Sequence, residues 1–244
     1  AVVDEAVNLW RAGCEIVRSS VYDMACAEAF SAIKKRIHIP LVADIHFDYR
    51  LAIAAIEHGA DKIRFNPGNI GCEQNVRELA ACARANGIPI RVGVNGGSLE
   101  KDLLEKYGGP TPEGMVESVL RHVAILEKTG FYDIVVSLKS STVADTVKAY
   151  TLMSEQVNYP LHVGVTESGM DEAGLVKSSI GIGSLLLAGI GDTIRVSLTG
   201  DPVNEVKAAK LILQATGVRK SGIEIVSCPT CGRWRRRTLL WAGG

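Results

Sequence analysis

Seven times along this chain a short β-branched run gives way to a polar turn and then to a segment of helical period, which ends near glycine or near asparagine and proline. The runs are "CEIVRSSV", "IPLVADIHF", "DKIRFNP", "IPIRVGVN", "DIVVSLKSS", "PLHVGVTESG" and "DTIRVSLTG". The intervening segments, such as Asp48 to His58 and Pro112 to Thr129, read as crossover helices. Strands that alternate with helices build a parallel sheet covered by helical connections. The spacing leaves room for a complete strand and helix in each unit.

The chain opens directly on a helical segment, "AVVDEAVNLWRAG", with no strand before it. An α/β fold of the (β/α)8 TIM type, lacking its first strand in this chain, fits that count better than a doubly wound sheet, because nothing marks a reversal of strand order. The 244 residues and 47% hydrophobic content suffice for one such domain. The glycines of "SIGIGSLLLAGIGD" approach a dinucleotide spacing but precede a strand instead of following one, so they read as a glycine-bounded helix end.

Charge excludes several partners. Lysine plus arginine number 27 and aspartate plus glutamate 27, which leaves no bulk field for nucleic acid or an anionic membrane. No apolar run reaches the roughly 18 residues of a spanning helix, and the N-terminus is amphipathic and unlike a signal peptide. A cytoplasmic location is expected. The six cysteines are too sparse for a disulfide framework. Cys228 and Cys231 alone have a suggestive gap, in "SCPTCGR"; by spacing they suit half a zinc site, half an iron–sulfur site or an idle surface pair.

Anion specificity must then be local, and the stretch "DKIRFNPGNIG" shows where. Residues two apart in a strand share a side. Asp44 with His46, Arg64 with Asn66, Arg91 with Asn95 and Arg195 with Ser197 form same-side polar sets near strand ends, and Arg18 and Lys139 repeat the pattern. The C-terminal ends of barrel strands converge on one mouth. A single inward arginine there could simply pair with a carboxylate. Five cations on five strands, against Asp44 and Glu167, are costly without an anion to neutralise them. Guanidinium forks fit phosphate or diphosphate. Gly68 in "NPGN" and the Gly96–Gly97 pair in "GVNGGSLE" would let backbone amides approach such a ligand.

The motifs "VADIHFDYRLA", "KIRFNPGNIG", "RVGVNGGSLE", "VVSLKSS", "GVTESG", "IRVSLTGDP" and "SCPTCGR" closely resemble the 4-hydroxy-3-methylbut-2-enyl diphosphate synthase family, from about Val7 to Arg233. The resemblance implies a TIM-type barrel over 1–219 that binds substrate, and a remnant of a 4Fe-4S cluster domain with an atypical tail over 220–244. It implies reductive ring opening and dehydration of 2-C-methyl-D-erythritol 2,4-cyclodiphosphate, a step of isoprenoid biosynthesis. Diphosphate binding would fall to Arg18, Arg64, Asn66, Arg91, Asn95, Lys139, Arg195 and Ser197. Asp44, His46 and Glu167 would lie near the reacting carbons, with Glu167 handling a proton, and Cys228 and Cys231 would be cluster ligands. Ferredoxin or flavodoxin would deliver electrons to a homodimer.

Three features depart from that family. The first strand is absent, "VRSSVYD" replaces the usual surroundings of Arg18, and "WRRRTLLWAGG" stands where the family supplies a third cysteine and a glutamate. The cluster's ligand set is thus incomplete in this chain, and turnover is expected to be impaired. Two other classes remain. Lys139 could form a Schiff base with a phosphorylated carbonyl compound, as in aldolase-type barrels, or the chain could be a barrel fragment that binds without catalysis.

Overall fold

The computed structural model describes residues 2–66, 72–166, 169 and 171–220. Helix α1 (Val2–Arg11) leads into seven strands, each followed by a helix: β1 (Val17–Ser20), α2 (Met24–Lys34), β2 (Leu41–Asp44), α3 (Tyr49–Glu57), β3 (Lys62–Arg64), α4 (Glu73–Ala85) and β4 (Ile90–Asn95). After a short α5 (Lys101–Tyr107) come α6 (Pro112–Lys128), β5 (Ile134–Lys139), α7 (Val143–Ser154), β6 (His162–Val163), α8 (Asp171–Leu187), β7 (Thr193–Ile194) and α9 (Pro202–Ala215). The expected helices over Asp48 to His58 and Pro112 to Thr129 are α3 and α6, each trimmed at its ends.

Every ladder is parallel and joins sequence neighbours, in the order β1 to β5 and then β6 with β7. Among the described residues the two sheets meet through one bridge, Val136 to Leu161. This is the progressive order of a TIM-type barrel, without a switch point. No ladder joins β1 to β7 among the described residues. Outside the sheet, α9 and the residues after it tie back to the segment between α1 and β1: Lys210 Nζ donates to Ala12 O at 2.7 Å, and Arg219 Nη2 to Glu15 Oε2 at 3.1 Å.

Local chemistry fixes the helices. Thr111 caps α6 by accepting from Gly114 N at 3.2 Å, Pro112 supplies a first-turn residue that needs no amide partner, and Met115, Val119, Val123 and Leu126 form a buried stripe at helical spacing. Asp23 and Asp201 cap α2 and α9 in the same way, accepting from Cys26 N at 2.8 Å and Val203 N at 2.9 Å. The outward residues of the strands, including Ile63, Phe65, Val94 and Leu138, join these helical stripes in one core. Consequently the alternate, inward residues are free to be polar. None of the helices among the described residues is long and apolar enough to cross a membrane.

Candidate functional site

Parallel register brings the inward polar residues to similar heights. Ser20 lies opposite Asp44, Asp44 opposite Arg64, Arg64 opposite Arg91, and Asn95 opposite Lys139. At the centre, the buried Asp44 carboxylate accepts from Arg64 Nη1 on Oδ1 at 3.0 Å, while Arg18 Nη1 stands 3.4 Å from Oδ2. His46 Nε2 is 3.9 Å from the same oxygen, on a side chain that is 44% exposed at the rim. Arg64 Nη2 also donates to Gly93 O at 3.2 Å, and Gly93 N donates to Asn66 Oδ1 at 3.0 Å. The Asn66 oxygen is therefore engaged in fixing β3 to β4.

Two glycines permit close packing here. A Cβ on Gly93 would stand 2.6 Å from Ser137 Oγ and 3.3 Å from Arg64 Nε, and one on Gly164 would stand 2.5 Å from Arg195 O and 3.3 Å from Lys139 Nζ. A side chain at Gly93 would displace the Ser137 hydroxyl, and one at Gly164 would collide with the Arg195 carbonyl. Beyond β4, Gly96–Ser98 forms a 3-10 turn. That loop is anchored by Glu100, which accepts from Ser118 Oγ at 2.7 Å and lies 3.1 Å from His122 Nε2. Asn95 ends β4, four residues beyond Arg91, and Ser197 follows β7, two residues beyond Arg195.

Charge is distributed unevenly around this ring. Arg18 and Arg64 share Asp44, and Arg195 Nε lies 3.8 Å from Glu205 Oε2 of α9. Arg91 and Lys139, 6% and 8% exposed, have neither an ion pair nor a hydrogen bond among the described residues. The sequence count of five cations against two acids is thereby revised. Glu205 enters from a helix, and among the described residues the two of these five cations without an ion pair are Arg91 and Lys139. Burial, with Arg18 and Arg64 nearby, pushes Arg91 down to about 9. A guanidinium remains ionised in a protein, so the physical meaning is a charge held at raised free energy. Burial and the surrounding guanidiniums of Arg91, Arg195, Arg18 and Arg64 push the Lys139 amine well below its ordinary value.

A deeper layer was not anticipated from the sequence. His162, buried within β6, shares its Nδ1 with Thr193 Oγ1 at 2.8 Å, while its Nε2 has no partner among the described residues. Burial and the cations Arg91, Lys139, Arg18 and Lys62 hold it well below the usual histidine range. Lys62 belongs to the same layer, lowered by burial and then by Arg91. The signal for both was the period-two rule itself, since Lys62 precedes Arg64 by two and His162 precedes Gly164 by two. No comparable signal existed for Glu205.

Gly68, Glu167, Cys228 and Cys231 lie outside the described residues. Among the described residues no three His, Cys, Asp or Glu side chains are grouped to hold a metal ion. The remaining cysteines, Cys14, Cys26, Cys72 and Cys82, are free.

Comparison with known proteins places this ring in context. The profile of the GcpE TIM-barrel domain matches residues 1–210. A protein of Caldanaerobacter subterraneus subsp. tengcongensis named 4-hydroxy-3-methylbut-2-en-1-yl diphosphate synthase (flavodoxin) is 61% identical over 231 residues, covering 95% of this chain and 65% of the relative. The protein of the same name from Ruminiclostridium cellulolyticum is 58% identical over 96% of this chain and 66% of its own length. This chain thus spans about two thirds of the length of such relatives. Among solved structures, Yersinia pestis dihydropteroate synthase superposes with a TM-score of 0.58 at 15% identity, covering 89% of this chain and 88% of that one. A type I 3-dehydroquinate dehydratase from Clostridium difficile gives 0.59 at 14% identity, covering 86% of each. These two likenesses concern the fold alone.

Proposed function

The chain belongs to the GcpE TIM-barrel domain family, and on that premise we propose that its barrel binds 2-C-methyl-D-erythritol 2,4-cyclodiphosphate for reductive opening and dehydration to 4-hydroxy-3-methylbut-2-enyl diphosphate. One observation carries the reading: Arg91 and Lys139 are buried cations without an ion pair among the described residues, in a ring that also holds Arg18, Arg64 and Arg195. A diphosphate would supply the missing negative charge, and the guanidiniums would meet its oxygens as paired donors.

In this reading Arg18, Arg64, Arg91, Lys139 and Arg195 hold the diphosphate, with Asn66, Asn95 and Ser197 at the adjoining strand ends. Binding energy collected at the charged end fixes the position of the reacting carbons at the rim. Asp44 keeps Arg18 and Arg64 oriented, His46 stands at the rim beside it, and Glu167 handles the proton. Cys228 and Cys231, in the 220–244 segment that follows the 1–219 barrel, would contribute to holding a 4Fe-4S cluster. When bound, that group would supply the electrons delivered by flavodoxin or ferredoxin. A homodimer completes the proposal.

Calorimetric titration of this chain with the cyclodiphosphate, beside the uncharged 2-C-methyl-D-erythritol, tests the binding role. The expected outcome is binding of the charged compound alone, displaced by inorganic diphosphate. Equal affinity for the uncharged polyol would remove the anion from the reading. Product formation with reduced flavodoxin after anaerobic iron–sulfur reconstitution then tests turnover separately.

A further inference from the structure

Two hydroxyl groups from one helix replace ladder bonds at the end of β5. Amides two apart in a strand face the same neighbour, and Val136 N accordingly donates to Pro160 O, just before β6, at 2.9 Å. Continued by two residues, Leu138 N would reach His162 O. The Tyr150 hydroxyl of α7 stands between them instead, accepting from Leu138 N at 3.0 Å and donating to His162 O at 2.5 Å. One turn earlier on α7, Thr146 Oγ1 accepts from the next amide in the series, Ser140 N, at 3.2 Å. Its own hydrogen has Thr142 O at 2.8 Å and Ser140 O at 3.2 Å as acceptors. Beyond that point Thr166 N donates to Ser140 O at 3.1 Å. Both Thr146 and Tyr150 are fully buried.

The residue between the two captured amides is Lys139. The peptide planes on both sides of it are thus held by α7, which sets the direction of its Cα–Cβ bond. The ladder with β4 fixes its height opposite Asn95. Its stem then runs past Gly164, where a Cβ would lie 3.3 Å from Nζ and 3.4 Å from Cε. We propose that Thr146 and Tyr150 are positioning residues of the anion site, their hydroxyls set against β5 so that the Lys139 amine meets the oxygens of a diphosphate. The proposal rests on the diphosphate reading given above. Direct ladder bonds would satisfy the same buried amides, so satisfaction alone does not call for two hydroxyls from a helix. What the hydroxyls add is a fixed backbone at Lys139, where a long side chain would carry any backbone displacement through to its amine. A binding group must be held within about 0.5 Å of its working geometry by the residues behind it.

The test is calorimetric titration of the whole chain with inorganic diphosphate, below the melting midpoint of each variant. Thr146→Val keeps the shape and removes the hydroxyl, and affinity is expected to fall about three- to tenfold, part of what one charged hydrogen bond supplies. Thr146→Ser keeps the hydroxyl and loses a buried methyl, so it is expected to melt below the parent yet bind within about twofold of it. Tyr150→Phe is expected to weaken binding as the valine variant does. In a Lys139→Met background both losses are expected to vanish, because the residue through which they act is gone. If Lys139→Met takes up no diphosphate, the comparison of serine with valine decides: serine near the parent supports the proposal, and serine as weak as valine overturns it. A valine variant that melts lower but binds as tightly as the parent overturns the proposal and leaves the anion site standing. So does a loss of equal size in the Lys139→Met background. A parent chain that takes up no diphosphate overturns the underlying reading and this proposal together.

Discussion

Asp44 and Arg64 hold each other across β2 and β3, Oδ1 to Nη1 at 3.0 Å, at positions directly opposite in the ladder. Asp44 is the carboxylate that Arg18 and Arg64 share. Asp44→Asn should therefore lower the stability of the ligand-free chain by about 1.5 to 3 kcal/mol, the range for a charged hydrogen bond. Inorganic diphosphate should repay more of the loss in the variant than in the parent, because the ring is then more positive. Thermal melts with and without diphosphate measure both effects, and an unchanged diphosphate shift would sink the argument.

Arg91 behaves oppositely. Its charge is buried without an ion pair among the described residues and with Nε unpartnered, so Arg91→Met should leave ligand-free stability equal to or above that of the parent, as apolar replacement of buried charge commonly does. Diphosphate affinity should fall by about 1.5 to 3 kcal/mol. A variant that is destabilised yet binds normally would show that Arg91 is structural.

Tyr150 of α7 donates its hydroxyl hydrogen to His162 O at 2.5 Å and accepts from Leu138 N at 3.0 Å. It thus spans the junction of β5 and β6, where the sheet is reduced to one bridge among the described residues. Tyr150→Phe leaves a buried amide and a buried carbonyl each short of a partner, at a cost of about 1 to 3 kcal/mol. Chemical denaturation gives the value directly, and hydrogen exchange at Leu138 should accelerate. No change in either would place the load on the Val136–Leu161 bridge instead.

The depressed Lys139 amine sets a pH dependence. Between its folded value and the ordinary 10.5, the unfolded chain binds the proton that the folded chain has lost, so folding becomes more favourable as pH rises through that window. A bound anion restores the charged amine and opposes the trend. The stabilisation given by diphosphate should therefore shrink as pH climbs toward 10.5, and the Lys139→Met variant should show a flatter ligand-free profile. Parallel profiles for parent and variant would assign the dependence to other groups.

Much of this was legible in the sequence because it depends on local repetition. The strand and helix alternation marks the barrel, Thr111, Asp23 and Asp201 mark helix starts, and the two-residue period places Arg64, Arg91, Lys139 and Arg195 on one side of their strands. Even the missed Lys62 and His162 obey that period. What the tertiary structure alone decided is which charges find a partner. Glu205 reaches Arg195 from α9, Asp44 is divided between Arg18 and Arg64, and Arg91 and Lys139 remain without an ion pair among the described residues. Gly164 matters only because the Lys139 amine and the Arg195 carbonyl converge on it from the strands at either side. Periodicity fixes the side on which a residue faces, but a meeting across the lumen depends on the curvature and register of several strands at once, and no single stretch of sequence encodes those.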